Sequence, residues 1–176
     1  NAGQHTSQRT PIIPFVHWHT TAPPDNPDPS VEQFSKEKYQ ELLWHMLLRG
    51  HDTFFLWCTG RELATEIQLV HEVYRESLQY SGFIDRGVPI EFDVPSKPGP
   101  VVSGLRLGNR VLARRTDFGT RTGNETLAVA GGGEVSVAAK RGVQILTVEQ
   151  KSRHPGILSD HNGRLRFPIG FYEFPG

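Results

Sequence analysis

Residues 49–58, RGHDTFFLWC, constrain the fold more than any other stretch of the chain. An amphipathic helical pattern runs into Gly50, and a short, almost wholly apolar segment follows that ends in Trp57 and Cys58. A second helical pattern begins directly after it. Apolar strands flanked by helices are typical of parallel sheets, because helices cover both of their faces. The sequence therefore predicts an α/β region organised around this strand.

A second strand and two helices are predicted around that stretch. Residues 11–19, PIIPFVHWH, are a compact run of β-formers that ends at a proline-rich loop. Ser35 is the predicted N-cap of the first helix. Its apolar residues recur at spacings of three and four, at Tyr39, Leu42, Leu43, Met46 and Leu47. The second helix is expected over about residues 61–80. The residues expected on its inward face, toward the core, are Leu63, Ile67, Val70, Tyr74 and Leu78. Residues 11–86 thus form the first predicted domain, with two β/α units.

Residues 87–149 have a different pattern, in which short alternating segments are separated by turns. Gly108-Asn109 lies between two such segments and is a two-residue hairpin signal. Five or six short strands at this spacing predict a small antiparallel β-sandwich. We expect no chemistry there and interpret its basic pairs as solvated surface, namely Arg114-Arg115 and Lys140-Arg141. Residues 150–176 are predicted to be a polar loop followed by one further strand.

Three segments resemble strands of glycoside-hydrolase (β/α)8 barrels. PIIPFVHWH is similar to a seventh strand, DTFFLWC to an eighth, and the tail FPIGFYEFP to a first strand. The antiparallel region resembles, in architecture, the β-sandwich that follows many such barrels. Because a complete barrel needs about 250 residues and the chain has 176, the resemblance implies a partial barrel. A first strand that comes last in the chain has two explanations. One is a fragment or permuted arrangement of a longer gene, and the other is a tail that pairs beside DTFFLWC, since first and eighth strands are neighbours in a closed barrel.

Functional residues of such barrels lie at the C-terminal ends of the strands. This rule selects six residues, which are His17, Trp18, His19, Trp57, Tyr172 and Glu173. Glu173 is the candidate catalytic carboxylate, and the other five are candidate saccharide contacts. His17 and His19 point to one side of a strand, where they can contact sugar hydroxyls, orient a carboxylate or bind a metal. The Trp57 ring suits stacking on a sugar face.

Two alternatives to a glycoside hydrolase stay open. A metal-dependent, amidohydrolase-like enzyme would use His17-x-His19 as ligands, and a non-catalytic fragment would only bind carbohydrate or pack. Glycoside hydrolysis uses two carboxyl groups about 5–10 Å apart. The sequence offers one good candidate, Glu173, so whether this chain is an enzyme by itself is an open question.

Charge and cysteine content narrow the classes of partner. Lys plus Arg and Asp plus Glu both total 19, which gives no electrostatic reason to expect nucleic acid or an anionic membrane surface. The single cysteine, Cys58, excludes an intrachain disulfide and a multi-cysteine zinc site. We expect an oligo- or polysaccharide as partner, with no cofactor. A second copy or a missing barrel segment is expected to cover the open strand edges. A secreted or periplasmic location is compatible with such a partner.

Overall fold

The computed structural model describes residues 10–18, 30, 34–56, 63–91, 99–117 and 123–150, together with two short strands near the C-terminus. In chain order the elements are β1 (Phe15–Val16), α1 (Lys36–Leu47), β2 (Phe55–Leu56), α2 (Leu63–Ser77), a 3₁₀ turn (Leu78–Tyr80), α3 (Ser81–Arg86), β3 (Val88–Pro89), β4 (Pro100–Leu107), β5 (Arg110–Asp117), β6 (Glu125–Ala128), β7 (Glu134–Val137), β8 (Val143–Thr147), β9 (Leu158–Ser159) and β10 (Leu165–Arg166). The fold is therefore mixed, with helices in the first half and antiparallel sheets in the second.

The predicted strands at PIIPFVHWH and DTFFLWC pair in parallel, as strands β1 and β2. Phe15 is opposite Phe55, and Val16 is opposite Leu56. Asp52 extends the pairing, because its backbone N–H donates to the Ile12 carbonyl at 3.1 Å and its Oδ2 accepts from the Ile12 N–H at 2.8 Å. A parallel pair with helices after each strand confirms the α/β character of this region. The described residues do not close a barrel.

Helix α1 begins where the sequence predicts. The Ser35 side chain accepts a hydrogen bond from the Lys38 backbone N–H at 3.2 Å, which satisfies one of the free N–H groups of the first turn. The backbone hydrogen bond of Glu37 and its hydrogen bond with Ser35 lower the pKa of that carboxyl. Tyr39, Leu43 and Leu47 are buried as expected. Ser35 and the apolar spacing together explain this helix.

Helix α2 presents a different face to the core than the sequence predicts. Four of the five residues expected inside are 36–60% exposed, namely Leu63, Ile67, Tyr74 and Leu78, whereas Val70 is partly buried. The buried residues each precede one of the expected ones, and they are Glu66, Leu69, Val73 and Ser77. The predicted inward face is thus wrong by one residue, which corresponds to a rotation of about 100° around the helix axis. Glu66 accepts hydrogen bonds from Tyr39 and Trp18, and these polar contacts fix the rotation of α2.

The antiparallel half contains the predicted hairpin. Strands β4 and β5 are joined at Gly108-Asn109, with Leu107 opposite Arg110. Gly108 has φ 63° while Asn109 does not have a positive φ, the pattern of a type II′ turn. The hairpin lies within a four-stranded sheet of order β3-β4-β5-β8, and β6 pairs with β7.

Alternate residues of β5 pack into two different cores. Leu112 joins Leu105 and the helical residues of the first core, whereas Val111 and Ala113 join a second, valine-rich core shared with β7. This is the alternation expected of a strand covered on both faces. The sheet is therefore packed between the helices on one side and β6-β7 on the other.

The C-terminal strands differ from the expected tail strand. Leu165 is opposite Ser159 and Arg166 is opposite Leu158, in an antiparallel pair formed by β9 and β10. The sequence predicted only one strand in this region. Residues 167–171, expected beside DTFFLWC, lie outside the described residues.

Candidate functional site

A buried polar cluster lies at the C-terminal end of β1. Its members are His17, directly after the strand, Tyr39 of α1 and Glu66 of the first turn of α2. We name these three residues the Glu66 cluster. In parallel α/β folds this end of the strands carries ligand sites. The sequence analysis selected the same end of β1.

Glu66 is the centre of the cluster, and its side chain is completely buried. Its Oε1 accepts hydrogen bonds from the Tyr39 hydroxyl at 2.6 Å and from the Trp18 backbone N–H at 3.0 Å. Its Oε2 is buried, accepts no hydrogen bond within the described structure, and lies 3.7 Å from His17 Nδ1. Burying a carboxylate is costly unless donors compensate for the lost water. Only one of its two oxygens is compensated in this way.

His17 and Trp18 are the two predicted site residues that the structure describes. The His17 side chain keeps 17% of its surface exposed, and its Nδ1 lies 3.7 Å from Glu66 Oε2. The Trp18 indole N–H donates to the Phe34 carbonyl at 2.9 Å, and its ring packs partly against the first core. His19, Trp57, Tyr172 and Glu173 lie outside the described residues.

Glu66 is the residue that the sequence analysis missed. It lies one position before Ile67, which was expected to face inward, so it was not among the residues that the sequence selects. A signal for it was nevertheless available. Tyr39 was predicted to be buried, and a buried tyrosine hydroxyl usually needs a hydrogen-bond partner. An acidic residue in the first turn after β2 can supply that partner.

A second polar network joins α1 to the sheet. Arg49 Nε donates to Ser103 Oγ at 2.8 Å, and Ser103 Oγ lies 2.8 Å from His45 Nδ1. His45 Nε2 lies 2.9 Å from Thr116 Oγ1, whose hydroxyl donates to Glu41 Oε2 at 2.6 Å. A neutral His45 that accepts at Nδ1 and donates from Nε2 is compatible with every hydrogen bond in this network.

The same network shifts two pKa values. Burial lowers the pKa of His45 to about 4, and Arg49 and Arg114 add to this effect while Glu41 opposes it. Burial alone would raise the pKa of Glu41. Hydrogen bonds from Arg114 and Thr116 and the charge of Arg114 outweigh that effect, so the pKa of Glu41 is lowered. At neutral pH the network therefore contains a neutral imidazole and an ionised carboxylate.

Arg114 and Arg115 correct the expectation of a solvated basic pair. Both are buried. Arg114 makes a two-point contact with Glu41, and Arg115 Nη2 lies 2.8 Å from Asp117 Oδ1. Lys140 and Arg141 are exposed, as predicted. The first pair has a structural role, because each guanidinium is held by a carboxylate of this chain.

A groove of about 680 Å³ lies beside this network, between α1, α2, β5 and the turn at residues 139–141. Most of its lining is charged, and both signs are present. Several of the charges already have intramolecular partners, such as Glu76, which accepts from the Trp44 indole N–H at 3.1 Å. Trp44 is the one aromatic residue among the described residues of its lining, and it is 1% exposed. Among the described lining residues, the groove therefore has no exposed ring for sugar stacking.

Side chains of the metal-ligating types do not cluster within the described ranges. No three His, Cys, Asp or Glu side chains converge there to hold an ion. In the same part of the chain, none of the helices combines the length and apolar character needed to cross a bilayer. Comparisons with protein-family models, curated proteins and solved structures find no match.

Proposed function

We propose that this chain is a carbohydrate-active protein that binds an oligo- or polysaccharide at the C-terminal end of β1. The observation that carries the proposal is the Glu66 cluster. In it the fully buried carboxylate of Glu66 lies 3.7 Å from the partly exposed imidazole of His17. Imidazoles held in this way are suited to hydrogen bonding with ligand hydroxyls. Trp18 lies beside His17, and Trp57 follows β2 in the sequence.

The proposed architecture is a partial (β/α) barrel with a small β-sandwich. The parallel pair β1-β2 supports the barrel half, because each strand is followed by a helix. One face of this pair is apolar and exposed, with Ile13 at 50%, Phe15 at 66% and Phe55 at 53%. Parallel sheets are normally covered on both faces. A missing barrel segment or a second copy of the chain would supply that cover.

Hydrolysis is the second part of the proposal. It needs two carboxyl groups, and Glu66 is too deeply buried to contact a sugar directly. Glu173 is the candidate acid or nucleophile. The proposed saccharide contacts are His17, Trp18, His19, Trp57 and Tyr172. Hydrolysis of the bound saccharide would depend on Glu173.

Calorimetric titration with cello-, xylo-, manno- and chito-oligosaccharides tests the binding claim on the full chain. We expect at least one of them to bind, and we expect His17→Gln and Trp57→Ala to weaken that binding by about tenfold. His71→Gln is the matched control, because His71 is exposed on α2 and away from the cluster. Absence of binding to the whole panel would overturn the proposal. Loss of reducing-sugar release in Glu173→Gln, with binding retained, would establish the catalytic claim.

A metal-dependent, amidohydrolase-like enzyme is the second candidate. The observation that favours it is the approach of an imidazole nitrogen to a carboxylate oxygen, His17 Nδ1 to Glu66 Oε2, because both atoms are zinc ligand types. His19 would be the third ligand. Elemental analysis of the purified chain decides between the two, since stoichiometric zinc lost in His17→Gln would select the metal enzyme. A chain that binds saccharide without hydrolysing it would be the non-catalytic fragment.

A further inference from the structure

The groove between α1, α2, β5 and the turn at residues 139–141 is lined by charges of both signs. Its volume of about 680 Å³ is typical of sites for small organic molecules. The sign of a ligand that fits such a groove depends on which of these charges already have a partner within the chain. A charge held by intramolecular hydrogen bonds has less to gain from a ligand than one that is exposed only to water.

The carboxylates of the groove have partners within the chain. The Glu41 carboxylate, for example, accepts from Arg114 at 2.9 and 2.6 Å and from the Thr116 hydroxyl at 2.6 Å. Every other carboxylate among the described lining residues likewise has a hydrogen-bond donor. These donors are Ser35 for Glu37, Gln40 and Gln68 for Glu72, the Trp44 indole for Glu76, and Arg115 for Asp117. The negative charges of the groove are therefore largely compensated by this chain.

Three cations of the same lining are not held in this way. Arg75 lies on α2, whereas Lys140 and Arg141 lie on the turn between β7 and β8. All three residues are exposed. None of these side chains forms a hydrogen bond or an ion pair with another residue of the described structure, although Arg141 acts on Glu37 through its charge. We name the three residues the groove cations.

The groove cations stand on two walls that different parts of the chain supply. Arg75 belongs to a helix of the first half, and Lys140 and Arg141 belong to a turn of the antiparallel half. A guanidinium can donate two parallel N–H bonds to one phosphate or carboxylate, and a lysine ammonium adds a compact positive charge. One anionic group can thus be held at each wall. A ligand that uses both walls must therefore carry at least two such groups.

We propose that this groove binds a small organic anion with two or more phosphate or carboxylate groups, one held by Arg75 and another by Lys140 and Arg141. A ligand with only one anionic group would leave one wall uncompensated and would bind more weakly. No member of the Glu66 cluster is among the described lining residues of the groove. The site is therefore distinct from the saccharide site proposed at β1, and the inference does not rest on saccharide binding.

Titration calorimetry of the full chain with citrate, phosphoenolpyruvate and succinate tests the site at low ionic strength, where exposed charges are weakly screened. We expect at least one of these anions to bind with a Kd below about 1 mM. Arg75→Gln and Arg141→Gln should each weaken that binding by about tenfold, the scale of a hydrogen bond that involves a charge. Arg86→Gln is the matched control, because Arg86 is exposed on α3 and is not among the described lining residues. It should leave the affinity unchanged.

Acetate and putrescine test the number and the sign of the charges that the groove recognises. Acetate carries one carboxylate and should bind at least about tenfold more weakly than the best of the three anions. Equal affinities would contradict the requirement for two anionic groups. Putrescine carries two positive charges and should not bind. Glu72→Gln removes a negative charge from the same lining and should not weaken the binding of the anion.

Three further results would overturn the inference. They are the absence of binding for all three anions, an affinity that Arg75→Gln and Arg141→Gln leave unchanged, and putrescine binding that is lost in Glu72→Gln. Because the two substituted arginines are exposed, the urea midpoints of their variants should match that of the wild type. A loss of affinity then reports on the groove and not on folding.

Discussion

Arg114 and Glu41 are 73 residues apart in the chain and make a two-point ion pair in the fold. Arg114 Nε donates to Oε2 at 2.9 Å and Nη2 donates to Oε1 at 2.6 Å. The guanidinium carbon also lies 5.2 Å from the centre of the Trp44 ring. The pair ties helix α1 to strand β5, across the boundary predicted between the α/β domain and the β-sandwich.

Arg114→Met should lower the free energy of unfolding by about 3 kcal/mol, because it leaves Glu41 partly buried without its cation. Urea unfolding at neutral pH measures the change. Arg141→Met is the control, since Arg141 is exposed, and it should change stability by less than about 0.5 kcal/mol. Equal effects of the two substitutions would contradict a structural role for the pair.

His45 should make the protein sensitive to mild acid. Its pKa is about 4 in the fold against an ordinary value of 6.5, so the unfolded chain binds more protons at every pH between these values. Stability therefore falls as the pH decreases through this window, by about 2 kcal/mol between pH 7 and pH 5 from this residue alone.

His45→Gln should flatten that part of the stability profile, because glutamine does not titrate. Denaturant midpoints at about pH 7 and pH 5 measure the slope. His71→Gln should keep the wild-type slope, since His71 is exposed on α2. A variant at position 45 that loses stability as steeply as the wild type would assign the acid sensitivity to other groups.

The rotation of α2 predicts opposite outcomes for two leucines of one helix. Leu69 is 5% exposed and Leu63 is 40% exposed. Leu69→Ala should cost about 3 kcal/mol of stability by leaving a cavity in the first core. Leu63→Ala should cost less than about 1 kcal/mol. Thermal or urea unfolding of both variants checks this, and the reverse order would restore the face that the sequence predicts.

The glycine turn between β6 and β7 offers a matched pair of substitutions. Gly132 and Gly133 have φ values of 92° and 91°. A Cβ at Gly133 would overlap Val148 Cγ1 and lie 2.9 Å from the Glu149 carbonyl oxygen, whereas a Cβ at Gly132 meets nothing within 4 Å. Gly132→Ala should cost about 1 kcal/mol from backbone strain.

Gly133→Ala should cost at least about 2 kcal/mol more than Gly132→Ala, because overpacking adds to the same strain. Unfolding midpoints of the two variants give the difference directly. Similar stabilities would mean that Val148 and the chain at Glu149 move aside without cost.

Local features of this protein were determined by the sequence alone. Ser35 caps α1 because its side chain reaches the Lys38 N–H within the same turn. The hairpin forms at Gly108-Asn109 because glycine adopts the positive φ that this turn needs. The parallel strands followed from apolar runs between helices. For the helix cap and the hairpin, the interacting atoms lie within a few residues of each other in the sequence. For the parallel strands, the run of apolar residues itself indicates that both faces are covered.

Only the tertiary structure decided which polar residues are buried together. Ile67 has the more apolar side chain, yet Glu66 is the one inside, because Tyr39 and Trp18 supply hydrogen bonds to it from other elements. Arg114 is likewise buried because Glu41 faces it from 73 residues away. A hydrogen bond or ion pair compensates the desolvation of a charged group only when the fold has brought its partner within reach. That compensation depends on the whole chain, which is why the sequence did not reveal the buried carboxylate beside His17.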